Sequence, residues 1–350
     1  MTLKTAMWNE IHDQTEVCRT LLAEYLPRAE AFRALLQKKK NLILTGTGAS
    51  LYACQMAKYM FYRYSGLLPT VLPVDELHYI LHQVDADTLI IFVSQSGESY
   101  ETKLVSGILK AHGIDFWGIT NEPQSHLAQN ASEVLLLHCG REVSSATKTN
   151  TATFLLLSIA AGGYDAALAA ELTALPEKIE KTFFAAAKTA DAWAELLAGQ
   201  MQLYILGTGV NAATAVEGAL MMKEKTFIHT AGSSVSDFRH GTVEVIEPGL
   251  PIVLLGSGEE MNEQLRQHAN YFASLGVQVF VVTDLPDAYP DTYHVAGVQK
   301  CAVEELSPML QVIPLQLLAE AVARRKGLDV DGFRFLSKVV GEYHTEGCRK

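Results

Sequence analysis

Positive charge is scarce in this sequence of 350 residues: 28 Lys and Arg stand against 39 Asp and Glu, for a formal net charge of −11. Nucleic acids and anionic membrane surfaces are bound through clustered positive charge, so the balance argues against both as partners. Any anionic ligand must be held locally. Cysteine is sparse as well. The five (Cys18, Cys54, Cys139, Cys301 and Cys348) are odd in number and form no C-x-x-C pair, which speaks against a secreted disulfide framework and fits a reducing compartment. The longest apolar stretch, TATFLLLSIAAGGYDAALAA, holds two glycines and an aspartate, is too interrupted to favour a membrane span and reads as a buried helix. The N-terminal MTLKTAMWNEIHDQTEVCRTLL has charges every few residues and no continuous apolar core, unlike a secretory signal. A cytoplasmic protein is the expectation.

Hydrophobic residues make up 49% and charged residues 19%, as in folded globular chains, and the length allows about two domains. A repeat fixes how they are arranged. LILTGTG (42–48) lies over LYILGTG (203–209), and at the same offset LIIFVSQSGE (89–98) lies over LPIVLLGSGE (250–259). GIDFWGITN (113–121) lies over GVQVFVVTD (276–284) at nearly that offset. Each copy alternates short β-prone apolar runs with helical stretches, the pattern of β-α-β units. The predicted fold is α/β, with two tandem doubly wound parallel sheets and helices on both faces. N-terminal helices (1–38) precede a first domain (39–165), connecting helices (166–199) lead to a second (200–328), and a tail (329–350) follows.

Ligands of open α/β sheets bind beyond the carboxyl ends of the strands, so the residues after each apolar run carry the chemistry. Gly46-Thr47-Gly48 resembles the start of a dinucleotide fingerprint, but the third glycine is missing from both copies (GTGASL, GTGVNA). Ser94-Gln95-Ser96-Gly97-Glu98-Ser99 ends a strand and opens a helix. That places unpaired N–H groups and the positive end of a helix beside three hydroxyls and an amide, a set suited to a phosphate monoester. Ser144-Ser145-Ala146-Thr147-Lys148-Thr149 also precedes a helix and can close the far side of a pocket. Both stretches read equally well as helix caps, since S/T-x-x-E is a helix-start signature. The second copy has Leu255-Gly256-Ser257-Gly258 in place of SQSG, so phosphate binding is expected in the first domain only. Glu224, near the end of an apolar helix, and His240, in Asp237-Phe238-Arg239-His240-Gly241, are a carboxylate and an imidazole able to divide proton transfers; the alternatives are a solvated last turn and a surface histidine.

These motifs, with EGALMMKE (217–224), DFRHG (237–241) and KGLDVDGFRFLSKV (326–339), make the sequence similar to tandem sugar-isomerase (SIS) domain proteins, whose domains are flavodoxin-like. It resembles most the isomerase half of glutamine:fructose-6-phosphate aminotransferase, and the related amino-sugar-6-phosphate deaminases and fructosamine-6-phosphate deglycases. The resemblance implies that Thr47, Ser94, Gln95, Ser96 and Ser99 bind the sugar phosphate. Gly46, Gly48, Ser145, Ala146 and Thr147 would complete the substrate site. It further implies that Glu224 moves a proton between C1 and C2, that His240 opens the ring in a neighbouring subunit's site, and that Lys338 stands near the open-chain sugar, where an amine can form a Schiff base. Without the resemblance, Lys338 reads as a solvated tail lysine. Two features depart from the aminotransferases. The chain begins about 40 residues before the first repeat, so no glutaminase domain is expected, and Met221 stands where the aminotransferases carry a further lysine. The implied protein is a homodimeric enzyme without metal or cofactor that releases ammonia from an amino-sugar 6-phosphate. Alternatives are a deglycase and a non-catalytic sugar-phosphate sensor.

Overall fold

The computed structural model describes residues 4–335 and 337–341. Cys348, Leu336 and the end of the 329–350 tail lie outside the described residues. The N-terminal segment forms α1 (Ala6–Tyr25) and α2 (Ala29–Leu36), separated by a 3-10 turn that contains Pro27. The first repeat runs β1 (Asn41–Gly46), α3 (Ala49–Met60), β2 (Thr70–Pro73), α4 (Leu77–Ile80), β3 (Thr88–Val93), α5 (Tyr100–Ala111), β4 (Phe116–Thr120), α6 (His126–Asn130), β5 (Glu133–Leu136) and α7 (Lys148–Gly162). After α8 (Ala166–Leu197), the second runs β6 (Gln202–Gly207), α9 (Asn211–Thr226), β7 (His229–Ser234), α10 (Val235–Arg239), β8 (Pro251–Gly256), α11 (Glu259–Ser274), β9 (Gln278–Thr283), β10 (His294–Gly297) and α12 (Pro308–Arg325).

The expected connecting helices are a single helix of 32 residues with Pro176 inside it. Proline forfeits one backbone hydrogen bond, but the surrounding Ala, Leu, Glu and Lys are strong helix formers that carry the helix through.

The chain divides into two compact units. One takes in Val17–Leu172 and the tail from Gly332; the other takes in the N-terminus to Glu16 and Thr173–Asp331. In the first, all pairings are parallel and the strand order is β2-β1-β3-β4-β5. In the second, the parallel order β10-β9-β8-β6-β7 is the same topology read from the other edge. Central strands covered on both faces must be apolar throughout, and β3 (TLIIFV) and β8 (PIVLLG) are buried at every position. Ile43, Ile90, Phe92, Leu109 and Phe116 centre one core, and Leu206, Ile252, Leu254, Phe238 and Phe272 the other.

Every residue of α7, within the longest apolar stretch of the sequence, is buried. α12 is long and apolar enough to span a membrane, yet it too is enclosed in its unit, as a core helix is. Cys18, Cys54, Cys139 and Cys301 are buried and form no disulfide among the described residues, and burial pushes the Cys18 thiol up to about 12, which leaves it unreactive.

Candidate functional site

The order of strands in the first sheet reverses between β1 and β3, and Thr45 pairs with Phe92, so the turns after both strands leave the same end of the sheet side by side. That is the switch point where such sheets bind ligands. The Gly46-Thr47-Gly48 turn leaves Thr47 exposed and Gly48 at φ +56°. The turn after β3 is more elaborate. Ser94 extends the sheet by donating its N–H to Ile119 O at 3.0 Å, and its Oγ accepts from Gly97 N at 3.1 Å and from Thr102 Oγ1 at 3.2 Å. Gly97 sits at φ +61°, and a Cβ there would meet Ser125 Oγ at 2.2 Å, so the turn closes only around glycine. Ser99 caps α5, accepting from Thr102 N at 3.4 Å. Its hydroxyl is shared with Thr102 Oγ1 at 2.6 Å.

Ser94 and Ser99 therefore hold the turn in shape, Ser94 by accepting only, so that its own O–H has no described acceptor. Gln95 and Ser96 are different. Gln95 O accepts from Asn121 N and Thr120 Oγ1, and Ser96 Oγ accepts from Glu98 N, but no described acceptor takes the N–H of either residue, the Gln95 amide or the Ser96 O–H. These donor groups on two adjacent half-buried residues are thus available to an acceptor from outside the chain.

Gln95 and Ser96 line a cavity of about 480 Å³ with Glu98, Asn121, Glu122, Gly140, Arg141, Glu142, Lys338 and Val339. Glu142 is the organising group, and its side chain is fully buried. Oε1 accepts from Thr147 N (3.0 Å), Thr147 Oγ1 (3.3 Å) and Thr149 N (3.2 Å), and Oε2 accepts from Thr149 Oγ1 (2.7 Å). A carboxylate on the first N–H groups of a helix is favoured by the helix dipole, and here it anchors the start of α7. Lys338 Nζ completes the set, donating to Glu142 Oε2 at 2.8 Å and to Ser144 O at 2.6 Å. Lys338 is thus tied into the cavity wall rather than lying free in the tail. The Thr147 hydroxyl, expected to meet substrate, is engaged by Glu142. Ser145 is buried and Ala146 half-buried in the same segment.

Glu98, on the cavity wall, accepts from His126 N (2.7 Å) and His126 Nδ1 (3.0 Å) and pairs with Lys103 Nζ (2.9 Å). Burial pushes its carboxyl up, but the hydrogen bonds from His126 and Lys103 outweigh it and bring the pKa down from 4.5 to about 2. A depressed folded-state pKa contributes stability that is present above the unfolded value and lost as pH falls through the folded one. The stability advantage of the wild type over Glu98→Gln, measured by urea unfolding, is therefore expected to be full near neutrality and to decline between pH 4.5 and about 2. A pH-independent difference would show that Glu98 acts by packing alone.

At the matching turn of the second unit the same features serve the protein itself. Asp284 Oδ2 accepts from Gly258 N at 3.1 Å and its Oδ1 from Asn262 Nδ2 at 2.8 Å. Ser257 Oγ donates to Ser307 Oγ at 2.8 Å and accepts from Asn211 Nδ2 at 3.1 Å. The residue that matches Asp284 in the first repeat is the neutral Asn121, whose side chain bonds Gly140 O and Cys139 N. One repeat fills its switch point with its own carboxylate; the other leaves donors unfilled.

Glu224 is half-buried in the last turn of α9, a helix that rests closely on β7: a Cβ on Gly232 would meet Ala215 O at 2.4 Å. His240 is exposed, at the end of the five-residue α10, with its N–H on Asp237 O at 3.1 Å. Both belong to the second unit, whereas the 94–99 turn, the 142–149 segment and Lys338 belong to the first. Among the described residues no cluster of three or more His, Cys, Asp and Glu side chains is placed to hold a metal ion.

Residues 35–163 and 196–321 each match the SIS domain family. This chain belongs to the SIS family. It is 30% identical to the isomerizing glutamine–fructose-6-phosphate aminotransferases of Pyrococcus horikoshii and Synechocystis, over 95% of its own length and 57% and 58% of theirs. The chain thus spans little more than half the length of these relatives. Among solved SIS structures, the C-terminal domain of the Francisella tularensis glucosamine-fructose-6-phosphate aminotransferase aligns with TM-score 0.84 at 23% identity, covering 95% of this chain and 99% of that one. The Thermotoga maritima glucosamine-6-phosphate deaminase aligns with TM-score 0.78 at 20% identity, covering 97% and 100%. The SIS motifs in the sequence pointed to the 94–99 turn and to Lys338 but not to Glu142, Asn121, Glu122 or Arg141. Only the hydroxyl-rich run that starts two residues after Glu142 hints at a carboxylate organising that loop.

Proposed function

We propose that this SIS protein acts on a 6-phosphorylated amino sugar, isomerising it and releasing its amine. The observation that carries the reading is the set of unfilled donors on Gln95 and Ser96 at the first switch point. A phosphate there is held by neutral N–H and O–H groups and the start of α5, without a dedicated cation, as the acidic chain requires. Thr47 adds a hydroxyl, while Ser94 and Ser99 keep the turn closed around the phosphate.

The reacting end of the sugar needs a proton moved between C1 and C2. In a 2-amino aldose, opening of the ring exposes the C1 aldehyde. Glu224 takes the C2 proton and returns it to C1, which converts the amine-bearing C2 into an imine. Water then adds to that imine, ammonia leaves, and a ketose 6-phosphate remains. His240 assists ring opening by passing a proton between the ring oxygen and the C1 hydroxyl. The ion pair with Glu142 favours a donor role for Lys338, stabilising the oxyanion that forms as the proton leaves carbon. A Schiff base would first require the ammonium to give up its proton.

Incubation with glucosamine 6-phosphate and its epimers, followed by assays for ammonia and ketose 6-phosphate, tests the reading. Stoichiometric appearance of both products is the expected result. Tight binding of sugar phosphates without release of any amine would favour a sensor instead.

A further inference from the structure

Thr102 lies in the first turn of α5, on the face that carries Val105 and Leu109 into the core, and it is 2% exposed. A hydroxyl buried there costs free energy unless it is hydrogen-bonded, and the bonds it makes run in one direction. Each hydroxyl has one proton and room for two acceptor contacts. Thr102 gives its proton to Ser94 Oγ at 3.2 Å, so across the 2.6 Å contact Ser99 Oγ is the donor and Thr102 Oγ1 the acceptor. Ser94 Oγ then receives two donors, Thr102 Oγ1 and Gly97 N at 3.1 Å, which fills its acceptor capacity. Only its own proton is left, on a residue that is 9% exposed, with no described acceptor. At the repeat offset Leu255 stands in place of Ser94 and the exposed Glu263 in place of Thr102, so neither hydroxyl is repeated in the second unit.

Given the phosphate site proposed above, on which this rests, we infer that Thr102 is a positioning residue for the phosphate: by donating to Ser94 it turns the Ser94 O–H toward the ligand, beside the donors of Gln95 and Ser96. A serine free to rotate can present a lone pair, which repels an anion. With both acceptor positions taken, Ser94 can only donate. An O–H bonded to an oxyanion is short and strong, and hydroxyls in series polarise one another, so the chain from Ser99 through Thr102 to Ser94 strengthens when a charged oxygen meets its end. Thr102 itself touches no substrate and acts through Ser94.

A double-mutant cycle on fructose 6-phosphate affinity, measured by calorimetric titration of the full chain, tests this. Ser94→Ala is expected to weaken binding about tenfold or more, as for one hydrogen bond to a charged group, and Thr102→Val by about three- to tenfold. Thr102→Ser, which keeps the hydroxyl, should stay near the wild type. In the Ser94→Ala background Thr102→Val should weaken binding no further, because the group it orients is gone. Additive losses in the double variant overturn the inference, since Thr102 would then support the turn by packing. So does equal binding by Thr102→Val and the wild type, or a Thr102→Ser variant as weak as Thr102→Val. Should Thr102→Val fail to fold, Thr102→Ala completes the same cycle. None of these readings needs turnover: binding coupled through Ser94, with no amine released from any substrate, would overturn the proposed reaction and leave the role of Thr102 standing. A wild type that binds no sugar phosphate overturns both.

Discussion

Replacing Glu224 by Gln is expected to slow amine release by about 10²–10⁴-fold, the usual contribution of a positioned general base, and to leave sugar-phosphate affinity unchanged. Gln keeps the size and hydrogen-bonding shape of the side chain, and the half-buried position at the end of α9 tolerates it without disturbing the packing of that helix. What is lost is the proton acceptor. Calorimetric binding measured beside the rate separates a chemical loss from a structural one. A variant whose turnover stays within about tenfold of the wild type would remove Glu224 from the mechanism. His240→Ala should lose turnover as well. If His240 serves a neighbouring subunit of a symmetric dimer, mixing the two inactive variants restores about a quarter of wild-type activity, because half of the dimers are mixed and each of these keeps one intact site. No recovery after subunit exchange would mean that each site draws both residues from one chain.

The second large effect concerns Glu142. Removal of one partner from a buried ion pair costs about 3–5 kcal/mol, because the other partner is left uncompensated. In Glu142→Ala, Lys338 loses its partner and the N–H groups of Thr147 and Thr149 lose their acceptor at the same time. The Lys338 side chain keeps 28% of its exposure, so the lower end of that range is the expectation. Lys338→Met should cost less stability, since Glu142 keeps its four hydrogen bonds to Thr147 and Thr149, yet it should lose activity comparably. Urea unfolding and amine-release rates on both variants check this. Equal stability of Glu142→Ala and the wild type would show that the carboxylate does not organise the start of α7.

Much of the site was legible because it is built from short-range features. SQSGES carries its own turn chemistry: Gly97 adopts a positive φ, Ser99 caps the helix, and Ser94 braces both, all within six residues. On the sequence, phosphate binding and helix capping were rival readings of these serines. In the structure Ser94 and Ser99 brace the turn as acceptors and cap, while Gln95, Ser96 and the Ser94 O–H keep donors that no described residue accepts. The same division bears on Thr147, whose hydroxyl goes to Glu142. Hydroxyl-rich composition marks where a site can be, but only the list of occupied partners tells which hydroxyls remain for a ligand.

The sequence by itself determined the architecture. Uniformly apolar runs alternating with helices require parallel sheets covered on both faces, and the repeated motifs require the same topology twice; both are local patterns that packing only has to accept. The tertiary structure alone decided the electrostatics. Lys338 and Glu142 are 196 positions apart, and nothing in either neighbourhood announces the other. Asp284 and Asn121 close equivalent strands, and only the fold shows that one spends its charge on Gly258 while the other leaves its turn neutral. A charge acquires its chemical meaning from what lies within a few ångströms, and for these residues that neighbourhood is assembled from distant parts of the chain.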